Sequence, residues 1–227
     1  MVKVFIIIPA YNESAAITSV IKDIRAASKE WQMVVVDDGS SDRTAELAET
    51  AGAVVLRHLV NRGQGAALKT GTEYAIMAGA EVVVHFDADG QFSAVDIPAV
   101  IAPLTAGEAQ VVFGSRFLSA PGGKKSNIPW FKKHVILGLA RLINKIFLGV
   151  SLSDPQTGCR AFSKEAAVKL NWQQDKMAHC SEIMRLAVKN NLRVREVPIT
   201  VVYHSFGQHF SGGVKILEEF FLGIFTK

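Results

Sequence analysis

The chain has 227 residues, an apolar share of 49% and a formal net charge of +4. That length suits one domain, or one domain with an extension, and is enough to bury a large core. The apolar share excludes a disordered chain. The only cysteines, Cys159 and Cys180, fit neither a CxxC nor a zinc spacing and are expected to be reduced packing residues.

Residues 4–8 form a continuous β-branched and aromatic run, which predicts a strand buried on both faces. The run is short and leads into Pro9, unlike a signal peptide. Residues 13–27 read as a helix, because Ala16, Ile17, Val20, Ile21 and Ile24 recur at helical spacing. Residues 33–36 predict a second strand. Ser41 or Asp42 caps a helix toward Thr50. Residues 54–56 predict a third strand and 65–78 a helix. Residues 82–86 predict a fourth strand, 97–104 a helix and 111–113 a fifth strand. This β-α-β-α rhythm predicts an α/β fold with a mostly parallel sheet and helices on both faces.

The second half is less regular. Residues 121–129 read as a loop and 130–148 as a helix. Residues 154–160 read as a polar loop, with helices over 165–170 and 181–189. A strand over 194–202 contains Pro198, which predicts an edge position. The tail, 214–225, reads as a short Phe-rich helix. No uncharged apolar run approaches the roughly 18–20 residues needed to cross a bilayer.

Ligands of such sheets bind beyond the carboxyl ends of the strands. Polar groups follow the strands here: Tyr11 and Glu13, then Asp37 and Asp38, then Asp87, Asp89 and Gln91, then Arg116. Asp87 and Asp89 can share a hard cation such as Mg2+ or Mn2+, with Gln91 adding an amide oxygen. Tyr11 and Glu13 can flank a base or ribose. Adjacent Asp37 and Asp38 point oppositely, so one shapes the loop and the other contacts ligand. Residues 61–65 open a helix whose N-terminus can attract phosphate, or whose glycines instead allow close packing beside the nucleotide. The residues that follow fail the P-loop pattern, since Leu68 stands where Gly should precede Lys69. His85 is expected to pack inside its strand. Between Glu108 and Asp154 there is no acidic residue but seven basic ones, among them Arg116, Lys132 and Lys133. An anionic partner fits that block. The block lacks interleaved stacking aromatics, so no nucleic-acid partner is expected.

Six motifs occur in order: PAYNE (9–13), VVVDDGSSD (34–42), NRGQGAALKTG (61–71), FDADGQ (86–91), GSRF (114–117) and DPQTGCRAF (154–162). As a set they resemble the family 2 inverting glycosyltransferases of GT-A fold, in particular the polyprenyl-phosphate sugar synthase branch. The resemblance implies a catalytic domain over 1–203, with an amphipathic interfacial helix at about 130–148. It implies a membrane-proximal tail over 204–227. It implies transfer of a hexose from a GDP-mannose or UDP-glucose type donor to a polyprenyl or dolichyl phosphate. Pro9, Tyr11, Glu13, Asp38 and Asp87 would face the nucleotide, and Asp87, Asp89 and Gln91 would hold Mg2+ or Mn2+. Asp89 and Arg116 would carry catalysis. Arg116 with Lys132 or Lys133 would hold the acceptor phosphate, beside Asp154 and Arg160. The implied location is cytoplasmic, peripheral on a membrane surface, where a separate membrane-protein partner is compatible. Two alternatives stay open: a hydroxyl acceptor, for which Glu182 is the candidate base, and a non-catalytic nucleotide-sugar-binding subunit.

Overall fold

A computed structural model describes residues 2–118, 152–154 and 156–201. The predicted helix at 130–148, Lys132, Lys133, the 203/204 boundary and the tail lie outside the described residues. The strands are β1 (Val4–Ala10), β2 (Gln32–Asp37), β3 (Val54–Arg57), β4 (Val82–His85), β5 (Val111–Ser115), β6 (Arg160–Ser163) and β7 (Val194–Pro198). They form one sheet in the order β3-β2-β1-β4-β6-β5-β7. All neighbouring pairs are parallel except those of β6, which runs antiparallel to both β4 and β5. The helices are α1 (Ile17–Ala27), α2 (Thr44–Thr50), α3 (Gln64–Met77), α4 (Ile97–Thr105), α5 (Lys164–Lys169) and α6 (His179–Lys189).

The sheet is covered on both faces. Ile6 and Ile8 of β1 pack with Ile17, Ile21 and Ile24 of α1 and with Ile97 and Val100 of α4. The alternate residues Phe5 and Ile7 pack on the other face with Ala67 and Leu68 of α3, Ala166 of α5 and Ile183 of α6. Every residue of β1 is buried, which accounts for its unbroken apolar sequence. Each fully buried Ile there contributes roughly 1.5–3 kcal/mol.

Several boundaries differ from the expectations. α1 begins at Ile17, because residues 13–16 form a turn in which Ala16 and Ile17 both donate to the Glu13 carbonyl. β5 continues to Ser115, and α6 starts at His179. The 194–202 strand ends at Pro198, on the sheet edge, where a missing N–H costs nothing. β6 had no counterpart among the predicted elements, which placed Arg160 in a loop. Arg160 instead opens β6, opposite His85 of β4 and Phe113 of β5. Its side chain therefore enters the sheet beside the carboxyl ends of the parallel strands. No helix among the described residues is long and apolar enough to cross a membrane.

Candidate active site

The loops after β1 and β2 are tied into one body. Asn12 adopts a left-handed conformation (φ 56°), which Asn tolerates better than most residues. Its Oδ1 accepts from the Ser41 N–H at 2.9 Å, and its own N–H donates to Ser40 Oγ at 2.9 Å. The Glu13 and Ser14 N–H groups donate to Thr44 Oγ1 and Asp42 Oδ2. This frame leaves Tyr11 49% exposed at the sheet edge, whereas Pro9 is a buried strand residue. Burial raises the pKa of Glu13, helped by the like charges of Asp89 and Asp42.

Asp37 and Asp38 are both turned inward. Asp37 accepts from the Ser40 N–H at 3.0 Å and from Arg57 Nε at 3.1 Å. Asp38 accepts from the N–H groups of Arg62 and Gly63 and pairs with the His58 ring at 2.6 Å. Both carboxylates hold loops: Asp37 the turn after β2, and Asp38 the segment that leads into α3. At 3% exposure, Asp38 is occupied by its own chain.

Asp87 leaves β4 at the centre of the edge, and Asp89 follows on an exposed turn. Asp89 Oδ1 accepts from the Gln91 N–H at 3.0 Å, which closes that turn. Asp87 is half-buried. Its Oδ1 accepts from Gln64 Nε2 at 2.8 Å. Against its other side lies Gly158, where an added Cβ would fall far inside van der Waals contact of Oδ2. Burial first, and then the charge of Asp89, pushes the Asp87 carboxyl up to about 6, against the pull of Arg160. Glu13 and Asp87 are thus both held toward their protonated forms by burial and by the nearby Asp89, and the Asp87 and Asp89 carboxylates are oxygen donors of the kind a hard divalent cation takes. Among the described residues no cluster of three His, Cys, Asp or Glu side chains could hold a metal alone. Two carboxylates would leave coordination positions for phosphate oxygens and water.

Arg160 is 1% exposed and its Nη2 donates to Cys180 Sγ at 3.2 Å. Burial works against the Cys180 thiolate, but Arg160 and His179 outweigh it and hold the thiol down at about 6. His85 is a core residue, as expected. It bonds Thr72 Oγ1 at 2.9 Å, stacks edge-on with Phe162, and burial keeps its pKa well below normal.

Arg116 meets a protein carboxylate in fork geometry. Its Nε and Nη2 donate to Asp154 at 2.6 and 2.7 Å, and its N–H donates at 3.1 Å. Asp154 is held in turn by Glu196, which accepts from the Asp154 and Ser153 N–H groups. The predicted phosphate fork is therefore directed at the 152–154 segment. Glu182, the candidate base for a hydroxyl acceptor, accepts instead from the N–H groups of Gln173 and Gln174.

The N-terminus of α3 is covered rather than open. The Ala66 N–H donates to the Asp175 carbonyl, and Trp172 Nε1 donates to the Gly65 carbonyl. A Cβ on Gly65 would lie 2.2 Å from the Gln174 carbonyl oxygen. The glycines of this motif admit a neighbouring backbone, the close packing that the sequence offered as one of two readings. Gln64, Gly158 and Arg160 are the site residues that sequence reasoning undervalued. Gln64 and Gly158 lay inside quoted motifs, and no local pattern marked either as a neighbour of Asp87.

The sequence profile of glycosyl transferase family 2 matches residues 5–170. A UDP-N-acetylglucosamine–dolichyl-phosphate N-acetylglucosaminyltransferase from Methanococcus voltae is 35% identical over 89% of this chain and 87% of its own. A polyprenol monophosphomannose synthase from Mycolicibacterium smegmatis is 30% identical over 96% of this chain and 84% of its own. In fold, the chain resembles the glucosyl-3-phosphoglycerate synthase of Mycobacterium tuberculosis solved with Mn2+, UDP and phosphoglyceric acid. That likeness has a TM-score of 0.72 at 20% identity and covers 98% of this chain and 77% of that one. The GT-A architecture, the ordered motifs and these matches agree, and the chain belongs to glycosyl transferase family 2.

Proposed function

We propose that this glycosyltransferase moves a hexose from a nucleotide-diphosphate sugar to a polyprenyl monophosphate, with inversion, at the cytoplasmic surface of a membrane. The observation that carries the reading is the acidic group at the carboxyl ends of β1 and β4. Burial, and after it the charge of Asp89, disfavours the ionised forms of Glu13 and Asp87, a cost that a divalent cation would relieve. Asp87 and Asp89, with Gln91, would hold Mg2+ or Mn2+, which when bound supplies charge to stabilise a leaving diphosphate. Tyr11 and Glu13 would flank the nucleoside.

An acceptor phosphate is already anionic near neutral pH. One of its oxygens attacks the anomeric carbon while the bond from that carbon to the diphosphate oxygen breaks. The nucleoside diphosphate leaves, and no general base is needed. This suits a site in which Glu182 is spent on holding residues 173 and 174. Arg116, Lys132 and Lys133 would stand on the acceptor side. Relatives named for dolichyl-phosphate and polyprenol substrates support the acceptor class.

The test is incubation with GDP-mannose and UDP-glucose, Mg2+ or Mn2+, and short polyprenyl phosphates, beside glycan acceptors in the same assay. Transfer to the lipid phosphate is expected, and Asp89→Ala should reduce it by at least about 100-fold. Transfer only to hydroxyl acceptors, or undiminished activity of Asp89→Ala, would refute the reading.

A further inference from the structure

We propose that Gln64 is a positioning residue for Asp87, and that Asp38 sets where Gln64 stands. The proposal rests on the cation reading above. Asp38 directly follows β2, and its two oxygens are taken up by His58 Nδ1 at 2.6 Å, the Arg62 N–H at 3.0 and 3.2 Å and the Gly63 N–H at 2.7 Å. Charge-assisted bonds of this kind are about twice as strong as neutral ones. His58 continues the tie through Nε2 to Thr70 Oγ1 on α3, at 3.0 Å. Asp38 therefore anchors residues 58–63 to the helix that follows them.

The path through this loop is narrow. Gly63 has φ 111°, and a Cβ there would lie 2.5 Å from the Asp175 carbonyl oxygen. The next residue, Gln64, opens α3 and sends its amide to Asp87 Oδ1 at 2.8 Å. Gly158 closes against Oδ2 from the other side. The Asp87 carboxylate is thus clamped between an amide donor and a backbone wall. An uncharged amide fixes the carboxylate without supplying a cation that competes with the metal. The chain Asp38–Gly63–Gln64–Asp87 links the ends of β2 and β4, so a change at Asp38 is felt at the cation site. Residues that orient metal ligands typically change metal affinity about 10–100-fold when altered.

Mn2+ binding by electron paramagnetic resonance, in the presence of GDP and separately of UDP, tests the proposal. The proteins compared are wild type, Gln64→Ala, Gln64→Glu, Asp38→Asn and the double variant Asp38→Asn/Gln64→Ala. Gln64→Ala should weaken Mn2+ binding about 10-fold or more, with nucleotide affinity measured without metal unchanged. Gln64→Glu, which replaces a donor by a like charge, should weaken it further. The double variant should be little worse than the weaker-binding single variant, because both act through one path. Unchanged Mn2+ affinity in Gln64→Ala overturns the proposal, as does a double variant whose losses simply add. Failure of wild type to bind Mn2+ with either nucleotide removes the cation reading and this inference together. If Asp38→Asn does not fold, the two Gln64 variants still decide the first half.

Discussion

Asp87 combines three demands that pull on one carboxyl group. Burial and the neighbouring Asp89 favour its protonated form and raise its pKa to about 6, while a cation requires the ionised form. A raised pKa means that the folded state binds this proton more tightly than the unfolded chain does. The stabilisation from that proton is complete below the ordinary carboxylate range and is lost as pH rises through about 6. Cation affinity follows the opposite course. Mn2+ must displace the proton below pH 6, so affinity should climb through about pH 6 and level off above about pH 7, by up to tenfold per pH unit on the rising part. Titration of Mn2+ between about pH 5 and pH 8 measures this. A flat profile in that window would show that Asp87 is not a ligand. The acidic residues themselves were legible in the sequence, because each lies within a few residues of the end of a buried strand. The inward turn of Asp38, the amide of Gln64 and the burial of Arg160 were not. Their partners lie far away in the chain, and no local spacing encodes such contacts.

At the level of elements, hydrophobic periodicity gave the first five strands and the helices between them. Runs such as residues 4–8 can be satisfied only by burial on both faces, which left little choice of structure. β6 escaped because it has four residues, opens with a charged Arg160 and pairs antiparallel inside a parallel sheet. Nothing within Arg-Ala-Phe-Ser distinguishes a strand from a loop. Its identity comes from the two strands that accept it. Close packing of α3 was likewise hidden in a glycine. A Cβ on Gly71 would lie 2.3 Å from Ile7 Cγ2 and 3.0 Å from Val36 Cγ2, so the helix rests directly on β1 and β2. Gly71→Ala removes the backbone entropy cost of a helical glycine, worth about 1 kcal/mol. The overpacking it introduces costs about 1–3 kcal/mol and should outweigh that gain. Chemical denaturation should show net destabilisation and an unchanged m-value. A stabilised variant would mean that α3 can lift from the sheet without cost. Because Gln64 begins this same helix, Gly71→Ala should also weaken Mn2+ binding.

Over the whole molecule, topology decides which charges meet. β1, β2, β4 and β5 all run the same way, so their carboxyl ends share one edge, and β6 returns Arg160 to that edge. Glu13 and Asp42 come from the first two loops, and Asp87 and Asp89 from the fourth strand. The repulsion that Asp89 exerts on Glu13 is a consequence of sheet order, because the two come from the ends of different strands. A fold that gathers like charges stores an unfavourable term that ligand can release. Mn2+ with a nucleoside diphosphate should therefore stabilise the protein more than the sum of their separate effects, since each supplies what the other's site lacks. At free ligand about 100 times its dissociation constant, binding adds about 2.7 kcal/mol. For a chain of this size that corresponds to a Tm increase of roughly 5–10 °C, at 2–4 °C per kcal/mol. Thermal melts with GDP and UDP, each with and without Mn2+, measure both the cation dependence and the base preference. The nucleotide that matches the site should give the larger shift only when Mn2+ is present. Asp89→Ala should abolish the cation-dependent part, and it should raise the Tm of the ligand-free protein slightly, because one repelling carboxylate is gone. Equal shifts with and without Mn2+ would show that the acidic edge is not a cation site.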